Sequence, residues 1–234
     1  MWGGIRSHRA APCGTVVAVK PPDPWPLRHL VLRTPRLELR PDDDAGLHEL
    51  AAEAQLGVHP PELMPFVTPW TDAGPPELAR GVVQHHWSVR AALTPERWTV
   101  NFLVRLDGRV IGLQGLGSGE FAVTREVRTG SWIGLRHQGR GIGTEMRAAV
   151  LTFAFDHLGA VRARSAAFTD NPASLRVSEK LGYRRDGTET IPRRGRPTED
   201  VRLLLDRDAF RRPTWTLEVE GVAACLPMLG VSRG

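Results

Sequence analysis

Lysine is almost missing from this chain: Lys20 and Lys180 are the only two in 234 residues. Cysteine is equally scarce. Cys13 and Cys225 lack the paired spacing of a zinc site or a disulfide framework, so neither a metal nor a disulfide is expected. Free thiols of this kind suit a reducing cytoplasm, which is the expected location. No apolar run reaches the roughly 20 residues that span a bilayer, so no membrane partner is expected. The stretch TVVAV near the N-terminus is too short for a signal-peptide core and runs straight into Lys20 and prolines. The net charge of +5 rests almost wholly on arginine in a chain rich in Ala, Gly and Pro. Such a bias reads as composition, and nucleic acid is not an expected partner.

What is present is a dense glycine run. HQGRGIGTEM, residues 137–146, places Gly139, Gly141 and Gly143 at alternate positions, where the main chain turns tightly and no side chain holds a ligand away. A helix follows from Ile142, with Met146, Ala149, Val150, Phe153 and Leu158 at helical spacing and Gly159 as its stop. TGSWIGL before the run is β-branched and aromatic and reads as a strand. Strand, glycine loop and helix together aim unpaired N-terminal amides and the positive end of the helix dipole at an anion, usually a phosphate. A P-loop requires a lysine beside Thr144, and none is there. A dinucleotide fingerprint requires a third glycine at Thr144 and an earlier place in the chain, so NAD is the weaker expectation.

The next segment narrows the choice. VRARSAAF alternates like a strand and leads into TDNPASLRVSEKLGY, where Asn171 fits an N-cap, Pro172 the first helical position and Gly182 the stop. Gln138-x-x-Gly141-x-Gly143 resembles the acetyl-CoA pyrophosphate motif of the GNAT N-acetyltransferases. Together with the Asn-Pro-Ala-Ser helix, it resembles the branch that holds the ribosomal-protein alanine N-acetyltransferases. The likeness extends over about residues 33–206 and is strongest from Gly130 to Gly187.

That resemblance implies a GNAT fold, an α/β (α+β) architecture with a mixed, mostly antiparallel central sheet and helices on both faces. It implies an acetyl-CoA-dependent N-acetyltransferase in which a primary amine attacks the thioester directly. Gln138, Gly139, Arg140, Gly141, Ile142, Gly143 and Thr144 would hold the pyrophosphate through main-chain N–H groups. Ile133 would pair with the pantetheine arm and face the thioester oxygen, and Asn171 would bond the arm. Many family members protonate the leaving thiolate with a tyrosine on the helix after Asn171. Here that place is Ser178, and the only tyrosine, Tyr183, follows the helix in a core-packing position. Ser174 is then the first candidate for proton donor, with Ser178 or a water behind it. Glu126 is the first candidate for general base, ahead of Glu120, His85 and His86. An α-amine titrates near 8 and a lysine amine near about 10.4, so a site without a dedicated base suits a protein N-terminus. The alternatives are a small-molecule amine, such as an antibiotic or polyamine, and a silent acyl-CoA-binding module.

Along the chain, residues 1–30 read as an irregular tail, for which a gene start assigned too far upstream is one explanation. Residues 31–210 read as the acetyltransferase domain. Within it, RLELRP begins as a strand, DAGLHELAAEA is a helix, a further helix lies around Glu77 to Ala92, and WTVNFLVRLDGRVIGLQGLG is a hairpin turning at Asp107-Gly108. Met64, Phe66, Trp70 and Trp87 are candidates for a lid or an acceptor groove. Arg193, Arg194 and Arg196 fall in a loop between two late strands, either as a solvated turn or as a steering patch for an anion. Residues 211–234 form an apolar extension expected to dock on the body; docking on a partner subunit would make a homodimer.

Overall fold

The structure is a computed structural model that describes residues 23–231. One sheet organises it. Nine strands lie in the order β7-β8-β6-β5-β4-β3-β2-β1-β9, with β1 at Val31–Arg33, β2 at Leu37–Pro41, β3 at Arg97–Leu106, β4 at Arg109–Gly119 and β5 at Glu126–Ile133. The remainder are β6 at Arg162–Phe168, β7 at Arg184–Arg193, β8 at Arg196–Asp206 and β9 at Glu218–Glu220. Every pairing is antiparallel except β5 with β6. Asp107, with a positive φ, and Gly108 turn the β3–β4 hairpin at the expected place. The mixed, mostly antiparallel sheet expected from the family resemblance is the one observed.

Side chains alternate across the sheet, and each face has its own helices. On one face, Leu103, Val110 and Leu113 pack with α1 (Asp44–Gln55) and α2 (Pro75–Ala91). On the other, Phe102, Val104, Ile111, Val127 and Ile133 pack with α4 (Ile142–Thr152) and its neighbour α5 (Pro172–Leu181); α3 is the short turn Phe121–Thr124. The α4 helix widens into a π-helical segment, Phe153–Leu158, before Gly159 ends it. Phe153, Ala154 and Phe155 are consecutive and all fully buried, a demand that the ordinary α-helical period does not meet. Burying each of those phenylalanines contributes about 1.5–3 kcal/mol.

The N-terminal boundary departs from the expected one. Residues 1–22, Cys13 among them, lie outside the described residues. Residues 23–30 do not behave as a loose tail: Pro26–His29 forms a 3-10 turn that buries Leu27 and Leu30 in the core. The C-terminal extension adds β9 to the edge of β1 and then turns through α6 (Val222–Cys225), placing Cys225 and Leu229 in the same core.

Candidate active site

Pairing between β5 and β6 covers only Glu126–Arg128 against Arg162–Arg164. Beyond that point the two strands separate, and a wedge opens between Thr129–Ile133 and Ser165–Phe168. Gly134 N–H donates to the Ile111 carbonyl, which makes Ile133/Gly112 a non-hydrogen-bonded pair. The Ile133 N–H therefore faces away from β4 and into the wedge, as does that of Ser131 two residues earlier. A cavity of about 1090 Å³ runs through the wedge, lined by Gly130–Ile133, Ser165–Ala167, the glycine run, one side of α5 and the 58–86 region.

At one end of this cavity stands the glycine cradle. Gly139 and Gly141 have φ of +73° and +77°, the left-handed region that glycine enters without strain. Gln138 N–H donates to Leu135, and Thr144 N–H to Gly141. Between them, the amides of Gly139, Arg140, Gly141, Ile142 and Gly143 have no backbone acceptor within the described residues. The free run is thus shorter at both ends than expected. Gln138 contributes its side chain instead: Nε2 donates to Val58 O at 2.8 Å and Ile133 O at 3.0 Å, tying the cradle to β5 and to the loop after α1. Arg36 secures the other side, gripping buried Glu145 through Nε at 2.7 Å and donating from Nη1 to Arg140 O at 3.1 Å. Arg176, Lys180 and Thr144 also line the cavity.

The middle of the cavity is edged by α5. Asn171 Oδ1 accepts from Ser174 N–H at 3.1 Å and caps the helix, and the Asn171 residue also lines the cavity. The Ser174 side chain lines it too, and its hydroxyl makes no hydrogen bond among the described residues. Ser178 does not reach the space. It is fully buried, donating to Ser174 O at 3.1 Å and accepting from Arg147 Nη1 at 2.8 Å, so the expectation of a proton donor there gives way to a structural hydroxyl. Tyr183 is buried with its hydroxyl 3.3 Å from Thr129 Oγ1, and burial raises its phenol above the ordinary value.

Glu126 is displaced from the chemistry as well. Its carboxylate accepts from Arg164 Nε at 2.6 Å at the closed end of the β5–β6 pairing, before the wedge begins, and Glu120 is likewise outside the cavity. The titratable groups that do line the far end are His85, His86, His59, Glu77 and Asp170. His86 is buried with Nδ1 2.6 Å from Asp42 Oδ2. His85 keeps solvent contact, and desolvation first, then the neighbouring His86, holds its pKa below the ordinary 6.5.

That far end is aromatic. Ring centroids lie 5.8 Å apart for His59 and Phe66, 5.1 Å for Phe66 and Trp70, and 5.6 Å for Trp70 and Trp132. Trp87, also a groove candidate by sequence, points elsewhere and donates to Asp44. Trp132 takes its place, a residue that reads only as one strand position among others. Two of the three late arginines are tied down by carboxylates, and Arg196 is exposed. Arg193 binds Asp170 at 2.8 and 2.6 Å, donates to Met64 O at 3.0 Å and stacks on Phe168, while Arg194 holds Asp72. The β7–β8 hairpin thereby clasps the 58–73 segment over the cavity.

Residues 36–184 match the family described as Acetyltransferase (GNAT) domain. The chain belongs to the GNAT acetyltransferases. Solved structures agree on the fold. A ribosomal-protein α-N-acetyltransferase, RimL, in complex with coenzyme A shares 17% identity at a TM-score of 0.60, covering 75% of this chain and 97% of that one. A GNAT-family acetyltransferase from Bacillus anthracis shares 17% at 0.56, covering 76% and 99%. A chimera of the spermidine N-acetyltransferase SpeG from Vibrio cholerae and hSSAT shares 19% at 0.54, covering 74% and 96%. As a GNAT acetyltransferase, the protein uses acetyl-CoA as acyl donor. Among the described residues no cluster of His, Cys, Asp or Glu is arranged to hold a metal ion, and no helix is long and apolar enough to cross a membrane.

Proposed function

We propose that this GNAT enzyme acetylates the α-amine of a peptide or protein whose first residues are apolar or aromatic. The observation that carries the reading is the single cavity that joins a phosphate cradle to an aromatic chamber through the β5–β6 wedge. The amides of Gly139 to Gly143 take the pyrophosphate of acetyl-CoA, with Arg176 and Lys180 one turn apart on α5 to meet further phosphate charge. The pantetheine arm enters the wedge past Asn171, and the inward amides of Ser131 and Ile133 meet the arm and the thioester oxygen. A preorganised donor to a developing oxyanion is worth about 3 kcal/mol.

The acceptor comes from the α1–α2 side, between Phe66, Trp70 and Trp132. Its nitrogen attacks the carbonyl carbon, the C–S bond breaks, and the ammonium proton passes to His85, directly or through water. A histidine held below 6.5 is neutral at pH 7 and free to accept that proton. RimL is by name a ribosomal-protein α-N-acetyltransferase, which agrees with such an acceptor. A polyamine, as for the SpeG chimera, fits less well. Of the two carboxylates that line the cavity, Asp170 is already paired with Arg193, which leaves Glu77 alone to meet a polycation.

Thermal unfolding with acetyl-CoA, and with NAD as control, tests the cradle. A ligand at about 100 times its Kd adds about 2.7 kcal/mol. Thiol release with peptides of varied N-termini, spermidine and lysine then tests the acceptor. The expected result is a shift with acetyl-CoA alone and fastest turnover on peptides with apolar leading residues. Spermidine outrunning every peptide would overturn the acceptor assignment, and acetyl-CoA binding without any turnover would mark a silent module.

A further inference from the structure

Arg147 is the anomaly of the cavity. It stands on α4, six residues past Gly141 and so about 9 Å further along the helix, lines the cavity and is 4% exposed. Its nearest polar partners are neutral. Nη1 donates to Ser178 Oγ at 2.8 Å, Nη2 reaches Ser131 Oγ at 3.3 Å, and buried Nε has no partner among the described residues. No carboxylate there lies within ion-pair distance of it. Glu145, its near neighbour in sequence, faces Arg36, and the Tyr183 phenol beside it stays neutral at pH 7.

A buried guanidinium without a counter-ion is costly to hold, and desolvation pulls its pKa below the ordinary value. The cost is offset when a ligand supplies the anion. The partners of Arg147 locate that anion: Ser131 carries a wedge-facing amide, and Ser178 lies one helical turn from Ser174. The arm reaching from the cradle to Ser174 passes this point. Within the reading of the cavity given above, two negative charges arise during transfer: the one on the thioester oxygen is met by the inward amides of β5, and the one on sulfur has only the neutral Ser174 hydroxyl besides Arg147.

We propose that Arg147 is the electrostatic seat of the departing CoA thiolate. When the amine nitrogen bonds to the carbonyl carbon and the C–S bond breaks, the electron pair goes to sulfur. The thiolate is balanced by the guanidinium, with the Ser174 hydroxyl as hydrogen-bond donor, and it takes up a solvent proton on release. The enzyme then needs no tyrosine, because a fixed cation does the work of a proton donor.

The test uses the full chain, with CoA itself as probe. Calorimetry measures CoA binding to wild type, Arg147→Lys and Arg147→Met, and the ultraviolet absorbance of the thiolate is followed as pH is raised on the bound complexes. CoA free in solution, titrated in parallel, gives the reference. The expected result is a bound thiol lowered by about one pH unit or more in wild type and Arg147→Lys, and restored in Arg147→Met. Bound CoA whose thiol titrates as in free solution in wild type overturns the proposal whatever the variants do. An equal lowering in wild type and Arg147→Met overturns it too, since the shift then has another source. Failure of wild type to bind CoA overturns the cavity reading and this proposal with it.

Discussion

The cradle end of the cavity is made of main chain from one short run, Gly139 to Gly143, whereas the acceptor end draws side chains from segments as far apart as His59 and Asp170. A ligand held by backbone amides depends on local conformation, which glycine positions and a helix start dictate. A ligand held by side chains depends on which distant segments the sheet brings together. The first end tolerates change at most side chains and little in the backbone; the second behaves the opposite way.

The largest effect is expected from breaking the cradle. Gly141→Val places a β-branched side chain at a φ of +77° and in the mouth of the anion seat. Strain there costs about 1–2 kcal/mol before any lost contact. Acetyl-CoA affinity measured by calorimetry is expected to fall about a hundredfold or more, a loss of about 3 kcal/mol. Retained affinity would show that the cradle is not the pyrophosphate site.

At the other end, His85→Gln is expected to lower kcat/KM by about a hundredfold, the low side of general-base effects, with acetyl-CoA affinity unchanged. The pH profile makes the sign clear. In wild type, activity rises as His85 loses its proton, through a pKa below the ordinary 6.5. The variant loses that limb and follows only the acceptor amine near about 8. An unchanged profile removes His85 from the mechanism.

Trp70→Ala separates the two ends most sharply. It deletes both ring contacts, with Phe66 and with Trp132, each worth about 0.5–1.5 kcal/mol. The acceptor KM is expected to rise about tenfold while the KM for acetyl-CoA stays constant. A matching rise in both would mean that the chamber and the cradle fold as one unit.

The smallest effect belongs to the clasp. Arg194 and Asp72 are half-exposed partners, with the Asp72 carboxyl held below the ordinary range by Arg194. Arg194→Ala is expected to raise the acceptor KM about twofold at low salt and not at high salt, as for a screened surface pair. Equal effects at both salt concentrations would point to packing in place of charge.

The glycine run, the Asn171 cap, the β3–β4 turn and the π-widened helix down to Gly159 could be read, except for the widening, from residues adjacent in sequence, since each is a local requirement of the backbone. The same is true of the family resemblance, which rests on those runs. Glu126 was a reasonable base by position on its strand, yet the pairing of β6 brings Arg164 against it and opens the wedge only later. Ser178 occupies the right helix but the wrong face, toward α4. Of the acceptor wall, Phe66, Trp70 and His85 could be named as candidates, whereas His59 and Trp132 carry no local signal, because aromatic and histidine residues at such spacing satisfy an ordinary core equally well.

The amino-acid sequence by itself therefore determined the glycine cradle, the helices that frame it and the family, all through constraints on main-chain torsion and capping that act over a few residues. Only the tertiary structure decided which charges are already paired, which hydroxyl faces the cavity and that a buried arginine stands there without a counter-ion among the described residues. Those properties depend on burial and on Coulomb partners contributed by strands and hairpins distant in sequence.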